Sequence, residues 1–469
     1  LFFDFEIFEI AFAKEKQMQN IKFTNWTILF LILLIESILL FLFAPHYYNY
    51  EFNLFCMLQY LSSSFLFLRA KKKENYFDFD MIFMFSFFFV MFFYPVFMFQ
   101  SDPLKYFAFK YEFNENVISR STALSLLGMQ SYFLGSISFR VKQNTDVLKI
   151  KSYNFITGLT VISAISFMLF IVSGGYASLK GAYSGEIVQS SGLGSYFRAF
   201  TPPFLYCALA LQVNNLYRIN KNKFNYKGLN KILVIYTLVF MILMLMSGSR
   251  ANTLQLLLIC GALFTMFYRP ISFIRFVPLV FIGVLGMFAI NIMRGGGEIS
   301  GIADVVMDLI INNRNTYVAV DYVDVYGMTF GKSMLSVLLA PFPFMQSIIF
   351  SILNINPWDA SSASLITKIS LGGESELGLG TNIIADLYIS FGMVGVIFFM
   401  SLLGRYIAKI LYFAKSNVYA LIAYTVMISY SVYIVRSEFF YSGRDLLWAL
   451  FFFFCFEIYS NTKKIKRED

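Results

Sequence analysis

The sequence predicts an all-α polytopic membrane protein with about twelve transmembrane helices, on three observations. The 469 residues are 58% hydrophobic and 14% charged, with a mean hydropathy of +0.65. Runs of roughly 20 apolar residues, enough at about 1.5 Å each to cross a ~30 Å hydrocarbon core, recur along the whole chain. Lysine and arginine sort alternately between successive connections, as cytoplasmic and outer loops require. A soluble domain could not cover this many apolar side chains with polar ones.

Residues 1–24 are expected to form a cytoplasmic segment. Its first seventeen residues alternate acidic with aromatic, and Met18 resembles a natural start, so 1–17 are expected to be an upstream extension. The run at 25–44 is longer than a signal-peptide core and no small-residue site follows it, so it is expected to be a retained helix. Further spans are expected at 51–69, 79–99, 120–138, 153–173, 198–214, 229–247, 251–268 and 272–293. Residues 25–293 thus form a nine-helix region, 294–382 one large external loop, 383–460 three more spans (383–404, 417–435, 445–460) and 461–469 a basic cytoplasmic tail.

Within the loop, the apolar stretch 334–353 is split by Pro341 and Pro343 into pieces too short to cross. A crossing there would also place Arg405, Lys409 and Lys415 outside. Interfacial or re-entrant helices are therefore expected, since irregular backbone at membrane depth needs protein or a wet cavity around it.

Connections on one side of this arrangement carry 25 Lys and Arg, against 12 over longer loops on the other. The positive-inside rule then puts both termini in the cytoplasm. Inside, Lys outnumbers Arg 18 to 7; outside, Arg outnumbers Lys 7 to 5. Loop bias does not explain that change of type. Arginine offers a planar fork of donors that fits phosphate oxygens, whereas lysine is a point charge.

The same bias accounts for the net charge of +9, so no nucleic-acid partner is expected. Cys56, Cys207, Cys260 and Cys455 lie in apolar runs and read as small hydrophobes rather than disulfide or metal ligands. Asp78 and Asp80 sit beside Lys71, Lys72 and Lys73 and are expected to balance them. Asp321 and Asp324 have no His or Cys near them and read as an ordinary loop pair, not a metal site.

Two motifs stand out. Ser247-Gly248-Ser249-Arg250 makes a very short outer turn that leaves helix amides open and adds a fixed charge, a small anion site. The ordinary alternative is a helical hairpin whose Arg snorkels to the interface. The second motif runs from Gly378 and Gly380 through Asn382, Asp386, Tyr388 and Ser390 to Gly392. It places Asp386 about one turn inside an apolar run, where an ionisable group is costly and functional by default. Alternatively, Asp386 pairs with an Arg of a neighbouring helix.

These stretches resemble the Wzy-type O-antigen and oligosaccharide repeat-unit polymerases. The shared features are the Ser-Gly-Ser-Arg turn, the large external loop and the helix start carrying Gly378, Gly380, Tyr388, Phe391 and Gly392. Many relatives have Glu where this chain has Asp386. The resemblance implies a GT-C-like fold and a multi-pass protein of the bacterial inner membrane. It also implies a glycosyltransferase that needs no metal or other cofactor. The implied donor is an undecaprenyl-pyrophosphate-linked oligosaccharide, with membrane lipid around it and a chain-length regulator and a flippase as partners. Preorganised arginines would stabilise the leaving pyrophosphate. Arg198, Arg250, Arg294, Arg314, Arg436 and Arg444 are the expected cradle, with Arg250 and Arg444 first because short turns hold them. Asp386 is the expected base, ahead of Glu374, Glu376, Glu438 and Asp445.

An O-antigen ligase is disfavoured, because the ligases carry a His in the external loop and the one histidine here, His46, follows the first helix. A lipid-linked oligosaccharide flippase would show two related halves and no eighty-residue loop.

Overall fold

The computed structural model describes residues 25–100, 112–139, 153–184, 192–220, 224–247, 249–293, 307, 309–373, 375 and 378–468. Among these residues the chain is helical, with no strand. The helices are α1 (Asn25–Leu42), α2 (Tyr50–Lys71), α3 (Phe79–Met91), α4 (Ile118–Ser138), α5 (Ile156–Val172) and α6 (Gly175–Ser184). They continue with α7 (Gly192–Asn220), α8 (Lys231–Met246), α9 (Arg250–Phe267), α10 (Phe273–Met293), α11 (Arg314–Tyr326) and α12 (Leu335–Leu339). The last are α13 (Met345–Ile352), α14 (Ser362–Leu371), α15 (Ile383–Phe413), α16 (Val418–Ser429) and α17 (Gly443–Glu468).

Each of the twelve expected spans coincides with a helix. Four of the described helical stretches are both long and apolar enough to cross a membrane: Asn25–Leu42, Phe79–Met98, Arg250–Phe267 and Ile383–Phe413. Boundaries moved where local chemistry dictates. Pro95 cannot continue the ladder of α3, which passes into a π-turn at Tyr94–Met98. The expected span 417–435 stops at Ser429, and Tyr430–Ser442 forms an irregular connection. The prolines at 341 and 343 separate α12 from α13, as expected.

Asparagine and aspartate start these helices. Asn49, Asp78, Asn230, Asn382 and Asn417 each accept a backbone N–H of the first turn, at the start of α2, α3, α8, α15 and α16. With few waters to satisfy a buried helix end, a short side chain that caps its own helix is the economical solution.

The outward faces are apolar: Ile32, Phe65, Met168, Ile235, Phe281 and Phe398 are all more than half exposed. Lipid is the solvent that tolerates this. Inside, small and polar residues set the packing. In α4, Gly135 faces the backbone of Ser401, and Gly404 of α15 faces the backbone of Tyr132, so any Cβ at either would collide with main chain. Backbone contact of this kind is how helices associate where no hydrophobic drive exists between them. Between α4 and α2, Gln130 donates to Ser63 at 2.6 Å. α16 lies at the centre, packed on α7, α9, α15 and α17.

α15 is not straight. Gly392 adopts φ 63°, ψ −156°, a region almost closed to other residues, and breaks the helix there. The loop after α11 fills the break: Thr329 donates its backbone N–H to the Ile389 carbonyl at 2.9 Å, and Ser333 shares a hydrogen bond with Ser390 at 2.9 Å. A Cβ on Gly392 would lie 2.7 Å from the Met328 sulfur. Gly392→Ala is expected to cost about 1–3 kcal/mol, read as a lowered Tm in detergent. Adding Met328→Ala should recover only the steric part.

Candidate functional site

Eight segments converge on one cavity of ≈ 630 Å³, with Phe167 of α5 and Ala363 of α14 adding to the six described next. Ser195, Arg198 and Thr201 come from the start of α7, Met244 from the end of α8, and Ser249, Asn252 and Gln255 from the start of α9. Gly380 and Thr381 come from the loop before α15. Tyr430, Tyr433, Arg436, Glu438 and Tyr441 come from the connection after α16, and Arg444 and Asp445 from the first turn of α17.

Sequence arranges this locally. Pro202 and Pro203 lie within α7 and lack the N–H groups that would bond the carbonyls of Arg198 and Ala199, both of which line the cavity. α8 ends at Met246 and α9 begins at Arg250, so the two walls they supply lie close in sequence. Buried Ser247 closes α8 by donating to Met244, and buried Ser249 accepts from Asn252 at 2.9 Å, turning both cavity residues inward. The Gly378–Asn382 strip is pinned from behind: Asn382 donates to the Asn312 carbonyl at 2.7 Å and to Thr316 at 2.9 Å, and Leu379 donates to Thr367. Gly380, at φ 71°, provides the turn that brings Thr381 to the wall.

Three expected arginines therefore share the cavity: Arg198, Arg436 and Arg444. Arg444 is the most defined. Its Nε donates to Asp445 at 3.1 Å, and the guanidinium sits over Trp448 at 5.6 Å. Asp445 is itself 1% exposed and accepts the Tyr430 hydroxyl at 2.6 Å. That grip fixes one edge of the fork and leaves the Nη donors to the cavity.

The other expected residues fall elsewhere. Arg250 begins α9, half-buried, between wall residues Ser249 and Ala251 but not itself in the lining. Arg314, the first residue of α11, is wholly buried and packs on the Phe113 ring at 4.3 Å, and it does not line the cavity. Arg294 and Gly248 lie outside the described residues, as do Glu374 and Glu376. Gly378 sits at the open end of the loop strip, and Gly392 marks the kink. Tyr388 is 6% exposed and packs edge-on against Phe41, on the far side of α15 from the site.

Asp386 does not line the cavity. It is fully buried, and its Oδ2 accepts the backbone N–H of Phe439 at 2.8 Å. It therefore holds the segment that carries Glu438. Glu438 is the carboxylate that reaches the cavity from this pair. Its Oε1 accepts the Ser361 hydroxyl at 2.7 Å, beside the first amides of α14. Burial pushes its carboxyl above the ordinary range, and the Ser361 and α14 hydrogen bonds pull it back without prevailing.

Tyr430, Tyr433 and the amide of Gln255 gave no sequence signal, since they belong to two apolar runs, and Tyr441 lies in the short connection between two expected spans. The clue available was the polar-aromatic run Ser429–Ser437, which interrupts the expected helix beside Arg436. Asp321 and Asp324 are engaged by Asn114 and Arg120, the latter at 2.5 Å. Among the described residues no group of three metal-ligating side chains occurs.

The family model described as O-antigen polysaccharide polymerase Wzy matches residues 23–467. No curated protein and no solved structure matches the chain.

Proposed function

The chain belongs to the O-antigen polysaccharide polymerase family Wzy, and on that premise we propose that the arginine-lined cavity joins undecaprenyl-pyrophosphate-linked repeat units. The reaction takes place on the outer face of the bacterial inner membrane, with twelve crossings and both termini in the cytoplasm. The product is O-antigen or capsular polysaccharide, and no metal takes part. A flippase supplies the lipid-linked units and a chain-length regulator acts on the product.

The observation that carries this reading is the convergence of Arg198, Arg436 and Arg444 on a cavity that also holds Glu438 and three tyrosines. The bond from the donor's anomeric carbon to the pyrophosphate oxygen breaks. The acceptor hydroxyl oxygen forms the new glycosidic bond, and its proton passes to Glu438. Charge develops on the departing pyrophosphate, where the three guanidinium groups meet it. Tyr430, Tyr433 and Tyr441 present flat, amphipathic faces suited to sugar rings. Asp386 is a positioning residue, because it fixes the Phe439 amide next to the base. Arg250 belongs to the turn that orients Ser249 and Asn252.

The test is chain extension by the purified protein in vesicles, with lipid-linked repeat units as donor and acceptor. A ladder of products with release of the pyrophosphate carrier is expected. Glu438 must be ionised to accept a proton, so activity is expected to fall as pH drops through its raised pKa. Glu438→Gln should lower turnover and flatten that acid limb. An unchanged limb in the variant would remove Glu438 from the reaction.

A further inference from the structure

A second depression of ≈ 310 Å³ lies between α5 and α8 on the outward face of the bundle. Val161, Ile165, Met168, Leu169 and Val172 form one wall, and Ile232 and Tyr236 the other. Two of its lining residues carry hydroxyls, and both are turned away. Thr160 donates to the Ile156 carbonyl at 2.9 Å, and the Tyr236 hydroxyl is engaged with Ser163 at 3.0 Å. The groove therefore offers carbon alone. From residue 160 to residue 172 it runs about 18 Å along α5.

Its position distinguishes it from the rest of the lipid-facing surface. Phe167, one turn from groove residue Ala164 and next to Met168, is a wall of the arginine cavity, and so is Phe240, one turn beyond Tyr236. These two rings meet edge-on with centroids 4.8 Å apart, both 3% exposed. The same two helices thus separate a polar, cationic chamber from an apolar trough, with one aromatic pair as the partition. A ligand with an anionic head and a long hydrocarbon tail needs those two environments side by side.

We propose that the α5–α8 groove binds the isoprenoid chain of the lipid-linked donor, with the Phe167–Phe240 pair as the threshold between chain and pyrophosphate. This rests on the reading of the arginine cavity given above. The groove acts on the length of the hydrocarbon, and the cavity on the pyrophosphate.

The two donors for the test carry the same repeat unit on pyrophosphate, one linked to undecaprenyl and one to geranyl. Chain extension is followed with the full-length protein in phospholipid vesicles. Ala164→Trp fills the groove and is expected to raise KM for the undecaprenyl donor about tenfold, a loss of about 1.4 kcal/mol. The geranyl donor, too short to use the groove, should shift by less than about twofold. A parallel change for both donors, or none for either, marks the groove as ordinary lipid-facing surface and overturns the proposal. If Ala164→Trp abolishes both through misfolding, Val161→Trp at the open rim decides by the same comparison. Arg444→Ala separates the two ideas: it should impair both donors equally. If it leaves both unchanged, the cavity reading fails, whatever the groove does.

Discussion

Replacing Arg444 with Ala is expected to reduce chain extension by about 10²–10³-fold, the usual cost of losing one preorganised donor to a developing anion. The loss should fall on kcat more than on KM, because the pyrophosphate of the proposed donor would gain charge as it leaves. Arg444→Lys should recover little. Asp445 holds the Nε edge at 3.1 Å, and a lysine has no second edge to present once that contact is made. Steady-state kinetics of the purified protein in vesicles will check both variants. Full activity with Lys would mean that a point charge suffices and the fork geometry is irrelevant.

The second large effect concerns stability at the opposite end of the bundle. Lys73, with a side chain 6% exposed, bridges Asp78 at 2.5 Å and Asp80 at 2.8 Å. Asp80 also accepts the buried hydroxyl of Tyr132 in α4, and Lys71 donates to the Ser136 carbonyl of the same helix. Lys73→Met would leave two carboxylates buried without their cation, at a cost of about 3–5 kcal/mol. Thermal unfolding in detergent should show it as a large fall in Tm. Combining Lys73→Met with Asp78→Asn and Asp80→Asn should restore much of the loss, since no uncompensated charge remains. A triple variant as unstable as the single one would assign the effect to packing instead.

Hydrophobic run length was sufficient to place twelve helices, because each needs only its own apolar residues, with a capping Asn or Asp at five of them. The charge balance of Asp78 and Asp80 was legible for the same reason: the lysines are neighbours in sequence. Arg198, Arg436 and Arg444 were legible because arginine at the edge of an apolar run is unusual enough to notice. Arg314 was not separable from them. Its burial depends on Phe113, some two hundred residues earlier, and no local pattern encodes that stacking. Asp386 and Glu438 show the same limit. An ionisable residue inside an apolar run signals importance, but whether it faces a cavity or a backbone amide is decided by which loop lands on it. Here residue 439 does so, from 53 positions away.

The glycine contacts of α4 with α15 have a further consequence. A carrier that moves its cargo across a membrane must part its domains and reseal them on the other side. The seam between α4 and α15 joins an early helix to a late one with main chain against main chain, and α15 also carries the buried Asp386 behind the cavity. Prising that seam apart would expose backbone and small polar side chains to lipid, where nothing replaces the lost contacts. The α4–α15 seam is therefore built to stay closed, and entry to the cavity that opens by parting these two helices is disfavoured.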